Sequence, residues 1–157
     1  MISQSTLDSA VAQLKPILRS SESPSDDEEL ARIASARDSV VERFAAVFSS
    51  EAVDSITAEE FRSFLAIENN HHWPLHRQGS VICADMNRLR RALGVLLDES
   101  RPVAERLNEI RDREGPLRIS GLGKAALTAI LHVAHPDLYA VWNNTVSRQL
   151  SLDRIEV

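Results

Sequence analysis

Apolar positions recur at helical spacing along almost the whole chain, and no stretch alternates for long enough to predict a strand. Two capping boxes, beginning at Ser25 (S-D-D-E) and Thr57 (T-A-E-E), mark predicted helix starts. The sequence therefore predicts an all-α, compact domain of about six to seven helices. These helices are expected over about 7–18, 25–48, 57–67, 85–97, 100–114 and 123–134, with a last one opening at Asn143 or Asn144.

Two irregular segments interrupt this pattern and contain the candidate functional residues. The first is the loop NNHHWPLHRQGS, which follows the third predicted helix. The second is a short extended piece, Leu117 to Ser120, which leads into a turn with two glycines. Exposed loops held by rigid helices are where binding residues tend to lie.

Composition restricts the class of protein. The 157 residues are 43% hydrophobic and 26% charged, which is ordinary for one globular domain spanning 1–157 and excludes wholesale disorder. Cys83 is the only cysteine, so no internal disulfide can form and a reducing compartment is expected. The amino terminus lacks the order of a signal peptide and no apolar run is long enough to span a membrane, so we predict a cytoplasmic protein. Because the chain stops soon after its last predicted helix opens, we expect it to be part of a longer protein.

The charge is unevenly distributed along the chain. The net charge is −5, but residues 1–70 carry 6 basic and 13 acidic side chains, whereas residues 71–157 carry 12 basic and 10 acidic ones. This divides the domain into an acidic helical half (1–70) and a mildly basic half (71–157). Any anionic partner, including nucleic acid, is expected to bind the second half.

The glycine turn is the most informative segment. Gly121, Leu122 and Gly123 directly precede a predicted helix, and glycine permits the tight backbone of such a turn. The first amides of the following helix have no internal partner and lie at the positive end of its dipole, which favours a phosphate oxygen. Lys124, on the first helical turn, could add a charge to the same phosphate, and Arg118 is a further basic candidate just before the turn.

This segment resembles the hairpin of helix-hairpin-helix proteins, in which a G-h-G turn holds a DNA backbone phosphate. Over about residues 117–150 it also resembles helix-hairpin-helix DNA glycosylases. In this alignment Asn143 occupies the position of the catalytic aspartate without a gap, and Ala125 occupies the position of the lyase lysine. Gly115 and Pro116 depart from the pattern because they lie where the first helix of the hairpin would continue.

The resemblance thus implies DNA binding without the family's chemistry. An amide at Asn143 cannot stabilise a cationic transition state by charge or activate water as a carboxylate can. An alanine at position 125 offers no amine. We therefore predict a non-enzymatic domain with no catalytic residues and no cofactor, in which Asn143 belongs to the nucleic-acid surface or simply caps a helix.

The histidine- and tryptophan-containing loop supplies the remaining candidates. Trp73 could stack on a base or wedge into a groove, Arg77 could bind a phosphate, and Asn70 or Gln78 could contact a base edge. Trp73 could equally be a core anchor. The run FLAIENNHHWPLHRQG, followed by the glycine turn, resembles the amino-terminal recognition domains of restriction- or defence-type ATPases.

Two histidine sets are candidate metal sites. One is the pair His72 and His76, separated by Pro74; the other is His132 and His135 with Asp137 beyond them. Neither set supplies three ligands in a recognised zinc spacing, so no metal site is predicted.

Three functions remain open from the sequence. The leading one is a non-catalytic DNA-binding module of a larger restriction or defence assembly. The second is a helical protein-interaction module whose acidic face, including the acids at 26–29, binds a basic partner. The third is a divergent enzyme acting on a nucleic-acid base through Glu68 or a histidine.

Overall fold

The computed structural model describes residues 24–66 and 78–142; the side chains of residues 24–30 and 33 are outside this description. The described residues are all-helical and contain no strand, which confirms the predicted fold class. The α-helices are α1 (Pro24–Phe44), α2 (Ala58–Leu65), α3 (Gly79–Ile82), α4 (Met86–Leu97), α5 (Val103–Arg111) and α6 (Lys124–Ala134), and a 3-10 helix spans Val53–Ser55. None of the helices in these ranges is both long enough and apolar enough to cross a bilayer.

Helix α1 differs from its prediction at both ends. It already includes Pro24, so Ser25 lies inside the helix rather than at its cap, which agrees with the tolerance of proline in a first helical turn. The helix ends at Phe44 rather than Phe48, and the chain continues in turns. Phe48 nevertheless remains buried with Val40 and Phe44, because its amide still donates to the Phe44 carbonyl at 3.2 Å.

The second predicted capping box is confirmed at α2. The Thr57 hydroxyl accepts a hydrogen bond from the Glu60 amide at 3.2 Å, and a Glu60 carboxylate oxygen accepts from the Thr57 amide at 2.8 Å. The two bonds occupy backbone donors that the helix itself cannot pair, so the helix starts where the sequence predicts.

An aromatic cluster fills the core between α1 and α2. The Phe64 ring is 4.8 Å from Phe48, 5.4 Å from Phe44 and 6.4 Å from Phe61 between centroids, each pair edge to face. Such pairs stabilise a core beyond the area they bury. Phe64 is therefore the centre of the aromatic packing in the described residues.

Helix α4 lies at the middle of the fold, packed against α5, α6 and the 3-10 helix. Asp85 caps it by accepting from the Arg88 amide at 2.9 Å, and Leu89, Leu93 and Leu96 are buried on the predicted face. The Arg90 side chain donates to the carbonyl of Ile56 at 3.1 Å. This bond ties α4 to the segment before α2.

The connection between α5 and α6 is less regular than predicted. Helix α5 ends at Arg111, before the predicted end near Gly115, and turns occupy residues 113–117 and 120–121. The Gly115 amide donates to the Asp112 carbonyl and the Arg118 amide to the Gly115 carbonyl, both at 3.2 Å. The predicted extended piece, Leu117 to Ser120, is therefore mostly replaced by turns, with only residues 118–119 outside them. Pro116 lacks the amide that a continuing helix would need, which agrees with the early end of α5.

Candidate nucleic-acid interface

The glycine turn is anchored to the protein by its apolar residue. Gly121 has φ of 86°, a left-handed conformation that glycine adopts without strain. The Leu122 amide donates to the Ile119 carbonyl at 3.2 Å, and the Gly123 amide donates to the Gly121 carbonyl at 3.0 Å. Leu122 is only 2% exposed, whereas Gly123 is exposed, so the turn packs its side chain inward and presents backbone outward.

Helix α6 begins directly after this turn, as predicted. Gly123 is its N-cap and makes no side-chain cap hydrogen bond. The Leu127 amide donates to the Gly123 carbonyl at 3.0 Å, so the hydrogen-bond ladder of the helix begins at this bond and the amides of the first turn precede it. These amides and the helix dipole give this end of α6 the chemistry of an anion site.

Gln78 lies against Gly121, so two candidate residues far apart in sequence are close in space. Gln78 is exposed and caps the short helix α3. A Cβ atom added at Gly121 would overlap the Gln78 side-chain oxygen and lie 3.2 Å from the Gln78 Cβ. The close approach of this side chain therefore depends on the absence of one at position 121.

We expect Gly121→Ala to lower the free energy of unfolding by about 1 to 2 kcal/mol, because alanine is strained at this φ and must displace Gln78. Gly123→Ala is the comparison variant, since φ there is −89° and nothing lies within 4 Å of an added Cβ, so only the smaller cost of alanine at a helix N-cap is expected. Urea unfolding of both variants measures the difference. Equal stability of the two variants would contradict the described turn.

Lys124 is held beside an aromatic residue that the sequence analysis did not select. Its ammonium nitrogen is 5.2 Å from the centroid of the Trp142 ring, within the range of a cation–π interaction. The Trp142 amide donates to the Thr128 hydroxyl at 2.8 Å, which fixes residue 142 against α6. The partners are 18 positions apart and only one lies in a helix, so no local pattern indicates the pair.

Arg118 is exposed at the start of the turn, next to a second arginine. The Arg88 Nη1 group donates to the carbonyl of Arg118 at 3.5 Å, a long hydrogen bond. Arg88 lies on the first turn of α4 and was not among the predicted site residues. The surface around the turn thus includes an arginine from the preceding segment, an arginine from α4 and the lysine of α6.

A polar clamp fastens the segment after α6 to the rest of the fold; it consists of Arg106, Glu99 and Tyr139. The Arg106 guanidinium is 1% exposed and donates to the Leu96 carbonyl at 2.6 Å, to Glu99 at 2.6 Å and to the Tyr139 hydroxyl at 2.7 Å. The Tyr139 hydroxyl in turn donates to the other Glu99 oxygen at 2.7 Å. The three side chains join the α4–α5 connection to the segment that leads to Trp142.

The clamp perturbs the ionisation of its members. Burial would raise the pKa of Glu99, but hydrogen bonds from Tyr139 and Arg106 outweigh burial, so the pKa lies below its usual range. Burial and the hydrogen bond to Glu99 both raise the pKa of Tyr139. The clamp therefore holds an ionised glutamate and a neutral tyrosine at neutral pH.

The second histidine set has structural partners. The Nδ1 atom of His132 is 2.7 Å from the Tyr139 carbonyl, which can only accept, so this nitrogen carries a proton. The Nε2 atom of His135 is 3.8 Å from a Glu99 oxygen. No group of three potential ligands that could hold a metal ion occurs in the described ranges, and His72 and His76 fall outside them.

Six of the ten predicted site residues are described, and they occupy the glycine turn and its neighbour Gln78; Leu122 contributes as an anchor rather than as a surface group. Asn70, Trp73, Arg77 and Asn143 lie outside the described residues, as does Glu68. The structure adds Arg88 and Trp142 to the surface. No protein-family model matches the chain, and comparisons with curated proteins and with solved structures likewise find no match.

Proposed function

We propose that this chain is a non-catalytic DNA-binding module that holds a backbone phosphate at residues 121–124. The observation that carries the proposal is the turn itself: a left-handed Gly121, an inward Leu122 and an exposed Gly123 directly before α6. A phosphate oxygen is the ligand that suits helix-terminal amides. The resemblance to helix-hairpin-helix proteins supports the same ligand.

The surroundings of the turn favour an anion. Lys124, Arg118 and Arg88 bring three positive charges to this surface, and Asp85, beside Arg88, brings one negative charge. A chain with a net charge of −5 repels DNA as a whole. Binding would therefore depend on this local surface and fall steeply with salt.

The proposal does not include base excision by the mechanism of the DNA glycosylases that residues 117–150 resemble. Ala125 occupies the lyase-lysine position and is half-buried on the first turn of α6. Asn143, at the aspartate position, carries an amide in place of a carboxylate. Membership of a larger restriction or defence assembly is a further part of the proposal and rests on the resemblance of the loop sequence alone.

Lys124→Glu is expected to weaken binding of a fluorescently labelled duplex by about tenfold or more, equivalent to about 1.4 kcal/mol, because it places a negative charge at the phosphate position. Fluorescence anisotropy at low salt measures the dissociation constant. The matched control is Arg101→Glu, which makes the same change of charge. Arg101 follows the C-terminal end of α4, whereas Arg88 lies at its N-terminal end, and it pairs with Glu109 at 2.7 Å.

Two results would contradict the proposal. One is an absence of duplex binding by the unaltered chain at low salt. The other is an equal loss of affinity in Lys124→Glu and Arg101→Glu, which would indicate a general charge effect rather than contact at the turn. Urea unfolding of each variant shows whether it is folded.

A further inference from the structure

We infer that Arg88 and Arg118 form a second phosphate-binding position beside the glycine turn, so that the ligand is a continuous polynucleotide backbone rather than one isolated phosphate. This inference rests on the proposed function and extends it to α4. The observation behind it is the bond from the Arg88 guanidinium to the backbone carbonyl of Arg118, which brings the Arg88 charge beside the exposed residue 118 and joins α4 to the segment preceding the turn.

Arg88 is placed by the start of α4. Asp85 caps this helix through the Arg88 amide at 2.9 Å, and the other Asp85 oxygen lies 3.4 Å from the Arg88 Nε atom. The carboxylate therefore orients the arginine as well as the helix. The Arg88 side chain is 45% exposed, so its charge reaches the surface despite this partner.

The contacts of Arg88 with described residues leave its guanidinium with further hydrogen-bond donors. A guanidinium carries five N–H donors, and the contacts with Asp85 and with the Arg118 carbonyl involve two of them. The bond to Arg118 is long, at 3.5 Å, and competes weakly with a charged acceptor. The planar fork of arginine matches phosphate oxygens in a bidentate manner.

The cations are held on the two flanks of the turn along the chain, one before it and one after it. Arg88 is held at Arg118, before Gly121, whereas the Lys124 ammonium is held over Trp142, after Gly123. Gln78 lies against Gly121 and carries an amide that can donate to a phosphate or a sugar oxygen. A single phosphate at the helix terminus would use one side of this surface, whereas a DNA strand crossing the turn would use both.

Salt dependence tests the inference, because each phosphate that a protein neutralises contributes about −0.9 to the slope of log affinity against log salt. We expect Arg88→Gln and Arg118→Gln each to reduce the magnitude of this slope, and the double variant to reduce it by about 0.9, the contribution of the one phosphate that the two arginines hold together, for a labelled duplex between about 50 and 200 mM salt. Arg101→Gln, the control, should leave the slope unchanged.

The outcomes separate this inference from the proposed function. If Lys124→Glu weakens binding but the two arginine variants keep the full slope, the second position is wrong and the phosphate site at the turn stands. If Arg101→Gln lowers the slope as much as Arg88→Gln, the arginines act through overall charge and the inference is wrong. If the unaltered chain binds no duplex, both are wrong.

Discussion

Replacing Glu99 with alanine is expected to lower the free energy of unfolding by about 1 to 3 kcal/mol, less than the loss of about 3 to 5 kcal/mol for one partner of a fully buried ion pair, because solvent screens the 37% exposed Glu99 side chain. The Arg106 guanidinium is almost fully buried and would lose its counter-charge. The Leu96 carbonyl and the Tyr139 hydroxyl would remain as acceptors, but neither carries a full negative charge. Urea unfolding followed by circular dichroism measures the loss.

Arg106→Met is the informative comparison, because it removes the other partner. The Glu99 side chain is 37% exposed and can be hydrated when its partner is absent. In addition, the Nε–H of Arg106 is buried without a hydrogen-bond partner among the described residues, so methionine also removes a desolvation cost. We expect Arg106→Met to lose less stability than Glu99→Ala. The opposite order would contradict the described burial of the clamp.

The same ion pair fixes the direction of a pH effect. Since the pKa of Glu99 is lower in the folded protein than in the unfolded chain, its stabilising contribution is present above the ordinary glutamate pKa. It is lost as the pH falls through the lowered folded value. The stability difference between the unaltered protein and Glu99→Ala should therefore shrink in acid. A difference that stays constant would show that the carboxylate charge is not responsible.

Phe64→Ala is expected to cost about 3 to 5 kcal/mol, because it removes a fully buried ring and leaves a cavity between three other phenylalanines. Total stabilities of small domains are about 5 to 15 kcal/mol, so this variant would be partly unfolded under mild denaturing conditions. The urea midpoint measures the effect.

Phe64→Leu and Val81→Ala are the comparison variants for that result, and both are expected to lose less stability. Leucine keeps an apolar side chain at the centre of the cluster and should lose clearly less than alanine. Val81 is exposed on α3, and its truncation should change stability by no more than about 0.5 kcal/mol. A loss at Phe64→Ala as small as that at Val81→Ala would contradict the aromatic core.

Local patterns were sufficient to predict much of the fold. The buried leucines of α4 repeat at helical spacing, and the capping boxes and the Gly121–Gly123 turn act through residues close in sequence. The capping box predicted at Thr57 is confirmed, because the hydroxyl, carboxylate and amide groups that form it lie within three residues of one another. Ser25 shows the limit of the same pattern, since a helix that includes Pro24 has already begun there.

The interactions missed by the sequence analysis are those between distant residues. An arginine at position 106 is typical of the exposed face of a helix. It is buried nevertheless, because it binds Glu99 and Tyr139, which are 7 and 33 residues away in sequence. Arg88 reaches the turn only because α4 packs against α6, and its bond spans 30 residues. Helical periodicity does not encode such pairs, so the candidate site could be predicted at the turn but not across α4.

The burial of Leu122 has a consequence for the thermodynamics of recognition. A loop that must first become ordered gives up conformational entropy when a ligand arrives, and this cost subtracts from affinity. Here a leucine between two glycines fixes the loop to the core before any encounter. Association at this surface should therefore show little coupled folding, and calorimetry should find a small heat-capacity change rather than the large one of a segment that folds on binding.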